Sequence, residues 1–299
     1  MLFRDLVYHL VGKDDDSCQW MILYLAHILQ KPWVNQGLII TFRGLEGCGK
    51  DVLMDFMQAF FGMEHDYITR TSKQDQVFGQ FNSALKHKLI VQLNEATAAD
   101  GFKNASLVKD LSTAKKITVN EKHKQEYKLK NFAHLFYMSN SISSSLPVEM
   151  AERRIASFET SSDHKGDGAY WGRTAPFTQD VEPTLNWPQS DVDAVYSWLM
   201  DQDISSFIAK DCRPKTKAYA DAQADQCDKT YEWLADKVQS GFASWAKEGD
   251  FVFNMKTQIK AEAKSWHARN EYKFPTGQMF DKLLRETGAH DPAAMKDIG

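Results

Sequence analysis

Apolar runs alternate with helical patterns along the chain. The apolar run at residues 38–42 stops at Gly44, and an amphipathic segment begins at Val52. Further apolar runs, each bounded by turn residues, lie at 89–93, 132–138 and 155–158. Strands separated by helical segments are typical of a parallel sheet. The pattern therefore predicts an α/β fold.

Helical spacing also runs through residues 16–31, where Pro32 ends the pattern. His27 lies on the apolar face of this segment, and we expect a packed core histidine rather than a ligand. Residues 69–76 are predicted as a polar connection, and residues 161–188, rich in Gly, Asp, Thr and Pro, as a long surface excursion. Other predicted helices are 103–113, 191–208, 217–238, 256–269 and 278–285.

The turn after the first strand carries the strongest chemical signal. Residues 44–51 read GLEGCGKD and match G-x-x-x-x-G-K-[ST] at every fixed position except the last. Gly44, Gly47 and Gly49 allow backbone N–H groups to point inward at phosphate oxygens, and Lys50 adds a positive charge beside a helix N-terminus. These features predict binding of a nucleoside triphosphate. The alternative, a glycine-rich turn with a solvated lysine, leaves three glycines unexplained.

Two positions depart from the usual metal-binding pattern of such loops. Asp51 stands where Ser or Thr binds the metal, and Asn94 stands where an aspartate usually does. The adjacent Glu95 is placed to polarise a water against the γ-phosphate. One carboxylate and one neutral oxygen remain, and Mg²⁺ accepts either type, so we hypothesise that the two changes compensate. The alternative is a weak ATPase that has lost efficient metal binding.

A basic segment stands out in an otherwise acidic chain. The net charge is −4, which argues against a uniformly cationic nucleic-acid binder. Residues 115–130 alternate apolar and polar positions around a polar tip, which predicts a β-hairpin. Seven of these sixteen residues are basic, which suits a phosphodiester backbone, whereas Glu121 and Glu126 favour a merely solvated hairpin.

Two later sites each admit two interpretations. Asn140 follows an apolar strand, where it suits a turn or can contact the attacking water or the γ-phosphate. Arg153 and Arg154 precede the last apolar run. They suit either a salt-bridged edge of the sheet or an arginine finger that acts on a neighbouring subunit.

Other sequence features bear on the compartment. The four cysteines form no C-x-x-C pair, which favours a reducing, intracellular compartment, and no apolar run approaches the ~20 residues of a membrane span. The N-terminus lacks a signal-peptide cleavage site, and its abrupt start suggests a piece of a longer polypeptide.

The ordered series GLEGCGKD, LIVQLNEA, basic hairpin, FAHLFYMSN and AERR resembles the superfamily 3 helicases. It looks most like the helicase portion of phage and plasmid primase-polymerases, including the D5-like group, over residues 16–230. The resemblance implies a P-loop AAA+ core in a hexameric ring, with ATP and Mg²⁺ as cofactors. It implies single-stranded or forked DNA as partner, a primase-polymerase domain in the same or a partner chain, and no membrane step. The location implied is the cytoplasm, that of the host cell for a phage protein.

The resemblance also assigns roles to residues. Asn140 would be sensor 1, and Arg153 or Arg154 the arginine finger. The catalytic set would comprise Glu95, Lys50, Asn140, Arg153 and Arg154, and the metal ligands Asp51, Asn94 and Glu95. The DNA-gripping residues would be Lys122, His123 and Lys124. The nucleotide-binding residues would be Gly44, Glu46, Gly47, Cys48, Gly49, Lys50, Asp51 and Val52.

We therefore expect an N-terminal helical segment at 1–35, an AAA+ core at 36–210 and a helical or winged-helix-like module at 211–299. Two other functions stay open. One is a P-loop ATPase that remodels or packages DNA without unwinding it. The other is a nucleotide-binding oligomerisation and DNA-binding module with weak catalysis.

Overall fold

The computed structural model describes residues 2–62, 64–94, 98–140, 153–175, 187–226 and 256–269, with backbone alone at 98–105, 223–226 and 256–259. The chain folds as two compact units, Met1–Asp225 and Gln226–Gly299. In the second unit the described element is one helix, at the position that the sequence predicts. The predicted helix at 278–285 lies outside the described residues, which include only 211–226 and 256–269 of the predicted C-terminal module.

The helices and strands follow one another as the sequence pattern predicts, with the differences given below. The strands are β1 (Ile39–Arg43), β2 (Ile68–Thr71), β3 (Ile90–Leu93), β4 (Lys116–Val119), β5 (Tyr127–Lys130), β6 (His134–Ser139) and β7 (Ile155–Glu159). The helices are α1 (Leu2–Leu10), α2 (Asp15–Gln30), α3 (Val52–Phe61), α4 (Asp75–Phe78), α5 (Ala98–Thr113), α6 (Gly168–Thr174), α7 (Gln189–Met200), α8 (Lys217–Gln226) and α9 (Lys256–Arg269). A short 3₁₀ helix covers Ser83–Leu85.

Five parallel strands form the main sheet, in the order β2-β3-β6-β1-β7. Every residue of β1, β3 and β6 is buried, as expected for strands covered on both faces. One face packs against α1, α2, α3 and α7, and the other against α5, α8 and the β4–β5 hairpin. All five carboxyl ends therefore lie at one edge of the sheet, where β1 continues into the glycine-rich turn. The predicted α/β fold with a parallel sheet is confirmed.

The structure differs from three expectations about local structure. Part of the predicted polar connection at 69–76 is edge strand β2, because its backbone pairs with β3. Residues 161–173 of the predicted surface excursion at 161–188 are exposed or half-buried, as expected, but the segment contains α6, which ends at the buried Thr174. The predicted helix at 191–208 stops at Met200, and beyond it the Asp203 carboxylate accepts a hydrogen bond from the backbone N–H of Ser205, a turn interaction that competes with helix.

None of the described helices is both long enough and apolar enough to cross a lipid bilayer.

Buried histidines make the core sensitive to acid. His27 is 7% exposed, which confirms the expectation of a packed histidine, and His134 at the start of β6 is 1% exposed. Burial lowers the pKa of His134 to about 3, with a smaller contribution from the charge of His27. Burial also lowers the pKa of His27. The folded protein therefore holds both rings neutral at pH values where the unfolded chain protonates them.

We expect acid destabilisation from this cause. As the pH falls below 6.5, His134 binds a proton in the unfolded chain but stays neutral in the folded protein. The free energy of unfolding therefore keeps its full contribution from His134 above pH 6.5 and decreases below it. From pH 7.5 to 5.0, His134 should lower the free energy of unfolding by about 2 kcal/mol. Urea denaturation at both pH values measures this.

The control variant replaces both members of a hydrogen-bonded pair, because the Tyr24 hydroxyl lies 3.3 Å from Nδ1 of His134 and would lose its partner if His134 alone were replaced. In the double variant Tyr24→Phe/His134→Leu the loss between the two pH values should shrink by that amount, whatever its stability at pH 7.5. An unchanged loss would show that His134 is not responsible.

Candidate nucleotide site

The glycine-rich turn has the backbone shape that its sequence predicts. Gly44, Gly47 and Gly49 have φ values of 155°, 79° and 76°, in the region that favours glycine. Gly44 is held to the neighbouring strand because its N–H donates to the Ser139 carbonyl at 3.2 Å. Within the described chain, the N–H groups of residues 46–51 donate no hydrogen bond. They are free to bind an anion at the start of α3.

Lys50 closes this turn. Its ammonium group donates to the carbonyl oxygens of Gly44, at 3.0 Å, and Leu45, at 2.8 Å. The side chain is only 7% exposed, and burial lowers its pKa, while Cys48, Asp51 and Glu46 oppose that shift. A buried cation that donates to two neutral carbonyls is well suited to pair with phosphate.

The two residues that depart from the usual metal pattern are joined by a third residue. Gln92, fully buried on β3, donates through Nε2 to Oδ1 of Asp51 and, at 2.5 Å, to Oδ1 of Asn94. Asp51 makes no side-chain capping bond at the start of α3, and its side chain is exposed. The structure thus brings Asp51 and Asn94 together at the carboxyl edge of the sheet. Glu95 lies outside the described residues.

The described chain has no group of three or more His, Cys, Asp or Glu side chains close enough to hold a metal ion by themselves. A Mg²⁺ ion bound with a nucleotide does not need such a group, since it takes one or two protein oxygens together with phosphate oxygens and water. The oxygens of Asp51 and Asn94 have the right chemistry for that part.

An aromatic group packs against the turn, and sequence reasoning missed it. Nε2 of His9, on α1, lies 3.1 Å from the Cys48 carbonyl, which only accepts hydrogen bonds, so Nε2 carries the proton. The indole of Trp171, on α6, covers Gly49: a Cβ added there would lie 2.0 Å from Cη2 of the ring. The His9 and Trp171 rings are 5.6 Å apart. The His164 ring is stacked on that of Tyr170 at 3.6 Å and lies 5.1 Å from His9.

Trp171 is fixed in this position, because Nε1 donates to the His164 carbonyl at 2.8 Å. The contacts among His9, Gly49 and Trp171 join segments far apart in the chain. No local pattern could have indicated them.

A buried ion pair anchors the strand that leads into the turn. The Arg43 guanidinium, 2% exposed, donates to Glu159 on β7 at 2.8 Å and to Asp221 on α8 at 2.6 Å. Both carboxylates remain partly exposed, and α8 is thereby tied to the residue immediately before Gly44. Beside this point a cleft of about 750 Å³ opens between the α1–α2 turn, residues 159–163 and residues 214–218.

The remaining predicted site residues lie at opposite ends of the sheet. Asn140 is exposed, and it follows Ser139, which pairs with Arg43, so it lies beside the start of the turn. Arg153 is exposed and Arg154 half-buried at the amino end of β7. A five-residue strand separates them from the carboxyl edge by about 16 Å. Within one chain, the structure does not bring these arginines to the turn.

The basic segment folds as the predicted antiparallel hairpin, β4–β5, and the three predicted DNA-binding residues are exposed at its tip. Glu121 accepts hydrogen bonds from Lys124, Tyr127 and Lys86, which together lower its pKa to about 2. The amide of Asn82 fixes the hairpin, donating to the Thr118 carbonyl at 2.9 Å and accepting from the Asn120 N–H at 2.8 Å. Lys122, His123 and Lys124 are exposed on this anchored hairpin, where Lys124 is paired with Glu121 and Lys122 lies 5.7 Å from the ring of Phe81.

Comparisons with known proteins find a family model, a phage protein and solved structures that are similar to parts of this chain. A family model described as "Family of unknown function (DUF5906)" matches residues 42–154. A DNA primase-polymerase of Nitratiruptor phage NrS-1 is 30% identical over 155 residues, which are 50% of this chain and 20% of that protein. The chain thus spans a fifth of this curated relative.

Solved structures share the fold. An apo structure of the NrS-1 C-terminal region has a TM-score of 0.64 at 20% identity, covering 88% of this chain and 61% of that one. A second apo structure of the same region has a TM-score of 0.60 at 19% identity, with coverages of 88% and 62%.

Proposed function

We propose that this chain is an ATP-dependent, ring-forming DNA helicase of the superfamily 3 type that acts in the replication of phage or plasmid DNA. It would translocate on single-stranded DNA, using ATP hydrolysis at subunit interfaces. The similarity to a phage primase-polymerase supports the role in replication. On this proposal, a primase-polymerase domain in the same or a partner chain supplies synthesis.

The observation that most strongly supports this proposal is the structure of the turn at residues 44–51. Free N–H groups and the buried Lys50 ammonium converge at the carboxyl edge of a parallel sheet, where α/β proteins bind nucleotides. The phosphates would bind at this turn, and the adjacent cleft of about 750 Å³ has room for the nucleoside. Lys50 would balance negative charge on the β- and γ-phosphates.

The residues around the turn fit a divalent cation. Asp51 and Asn94 present a carboxylate and an amide oxygen to the same region, and Mg²⁺ prefers oxygen ligands. The ion would supply charge neutralisation on the phosphates when bound. Glu95, one residue after Asn94, would accept a proton from the attacking water, and Asn140 would orient that water.

Subunit assembly would complete the site. Arg153 and Arg154 lie about 16 Å from their own turn, so an arginine finger from this segment must act on a neighbouring subunit. A closed ring repeats this heterologous contact at every interface, and the superfamily 3 resemblance predicts six subunits. In such a ring, the hairpin cations would bind the backbone of single-stranded DNA.

The hairpin makes a prediction of its own. The double variant Lys122→Ala/Lys124→Ala should weaken binding to single-stranded DNA without preference for sequence. Each lost phosphate contact lowers the slope of log K against log salt by about 0.7, so the slope should fall by about 1.4. Fluorescence anisotropy of a labelled oligonucleotide over a series of salt concentrations measures it.

The matched control for this charge change is Lys73→Ala/Lys165→Ala, which removes two exposed lysines elsewhere. It should leave the slope nearly unchanged. Equal slopes for both double variants would mean that the hairpin tip does not contact DNA.

The experiment that tests the function is Mg²⁺-dependent ATP hydrolysis with and without single-stranded DNA, followed by displacement of one strand from a forked duplex. The proposal requires stimulation by DNA and displacement that depends on ATP. A rate of ATP hydrolysis that does not change when DNA is added would favour an ATPase that remodels or packages DNA. Nucleotide binding without hydrolysis, in an assembly that retains DNA, would favour the oligomerisation and DNA-binding module.

A further inference from the structure

The amide of Gln92 lies between the two residues that depart from the usual metal-binding pattern. It is fully buried, although it stands in a strand whose other residues are apolar. On β3 its neighbours Val91 and Leu93 face the opposite side of the sheet, so Gln92 points toward the start of α3. A buried polar side chain in an apolar strand costs free energy unless its hydrogen bonds are made.

The hydrogen bonds of Gln92 fix its orientation. Asp51 offers only acceptors when ionised, so the NH₂ end of the amide must face it. The same nitrogen donates to Oδ1 of Asn94 at 2.5 Å, which uses both of its hydrogens. The other end, Oε1, is buried and has no hydrogen-bond partner in the described chain. Gln92 thus holds two oxygen ligands on one nitrogen and leaves a buried acceptor beside them.

We infer that Gln92 is a positioning residue for the cation, orienting the oxygens of Asp51 and Asn94 toward one divalent ion. This inference rests on the proposed nucleotide-binding function. Two oxygens that share one donor are separated by no more than two hydrogen-bond lengths. A hydrated Mg²⁺ ion can therefore bind one oxygen directly and the other through a water.

The chemistry of glutamine explains why a neutral donor suits this position. A lysine there would neutralise Asp51 and repel the cation, and a glutamate would have no proton to donate to either oxygen. An amide donates to both ligands and adds no charge. A metal-bound water, which is a strong donor, is also a suitable partner for the orphan Oε1.

The test is the affinity for Mn²⁺, measured by electron paramagnetic resonance on the full chain saturated with ADP, so that no turnover is needed. Loss of a residue that orients metal ligands costs 10- to 100-fold in metal affinity. Gln92→Leu should weaken Mn²⁺ binding by about that factor and leave the affinity for ADP in EDTA within about twofold. High Mg²⁺ should restore the ATPase rate.

The matched control is Gln58→Leu. Gln58 also donates two hydrogen bonds through Nε2, to the carbonyls of Gly62 and His65, at the far end of α3. It should leave Mn²⁺ affinity unchanged. A second variant, Gln92→Met, keeps the length of the side chain but lacks the hydrogen-bond donor. It is used in place of Gln92→Leu if thermal unfolding shows that Gln92→Leu does not fold.

The outcomes separate the inference from the proposed function. Wild-type protein that binds ADP and Mn²⁺, with the same Mn²⁺ affinity in the Gln92 variants, would overturn the positioning role alone. Wild-type protein that binds no nucleotide would overturn the proposed function.

Discussion

Replacing Lys50 with alanine is expected to lower the rate of ATP hydrolysis by about 100- to 1000-fold, the cost of removing one preorganised group that stabilises charge in the transition state. Two observations support so large an effect. The ammonium group is 7% exposed, where its interaction with phosphate is weakly screened, and it is already held by the carbonyls of Gly44 and Leu45. Steady-state hydrolysis at saturating Mg²⁺ and ATP measures the change.

The fold should survive this substitution. The two carbonyl bonds of Lys50 are confined to the turn, and the sheet and its helices do not depend on them. Lys165→Ala is the control, since Lys165 is exposed and outside the turn. A Lys50→Ala protein that hydrolyses ATP at the wild-type rate would show that this turn is not the catalytic site.

The second large effect is expected at Gly49. Alanine there must adopt a φ of 76°, which costs roughly 1–2 kcal/mol, and its Cβ would lie 2.0 Å from the indole of Trp171. The ring is held by its bond to the His164 carbonyl, so relief requires displacement of Trp171 or of the turn. Overpacking of this kind costs a further 1–3 kcal/mol, roughly. Urea denaturation should therefore show a loss of about 2–5 kcal/mol.

The chain offers a matched control for this clash. Gly47 has nearly the same φ, 79°, but no atom lies within 4 Å of the position where its Cβ would be. Gly47→Ala should thus cost only the backbone strain. In a Trp171→Ala background the difference between the two alanine variants should disappear. A difference that persists there would mean that Trp171 is not what constrains Gly49.

The parts of the site that lie in one continuous segment could be predicted from the sequence. The turn at 44–51 and the hairpin each have a local pattern, and the structure has both where the sequence predicts them. Parallel strands bring their carboxyl ends to one edge, so Asn94, which follows β3, lies at the same edge as the turn that follows β1.

The parts of the site that depend on tertiary contacts could not be predicted from the sequence. In the sequence, Gln92 is only a polar residue within an apolar strand. Its role becomes visible in the structure, where it donates to Asp51 at the start of α3. His9 and Trp171 lie far from the turn in sequence, and only folding brings them to Cys48 and Gly49. Strand β2 is polar in sequence because it is an edge strand, stabilised by backbone pairing rather than by burial of every side chain.

The most direct measurement of the central claim, that the turn binds a nucleoside triphosphate through its phosphates, is calorimetric titration with ATP, ADP and AMP in the presence of Mg²⁺. Lys50 and the N–H groups of residues 46–51 would contact the β- and γ-phosphates. Each charge-assisted hydrogen bond contributes roughly 1.5–3 kcal/mol, so AMP should bind at least about 100-fold more weakly than ATP and ADP. AMP binding as tight as ATP binding, or no binding of any of the three, would contradict the account.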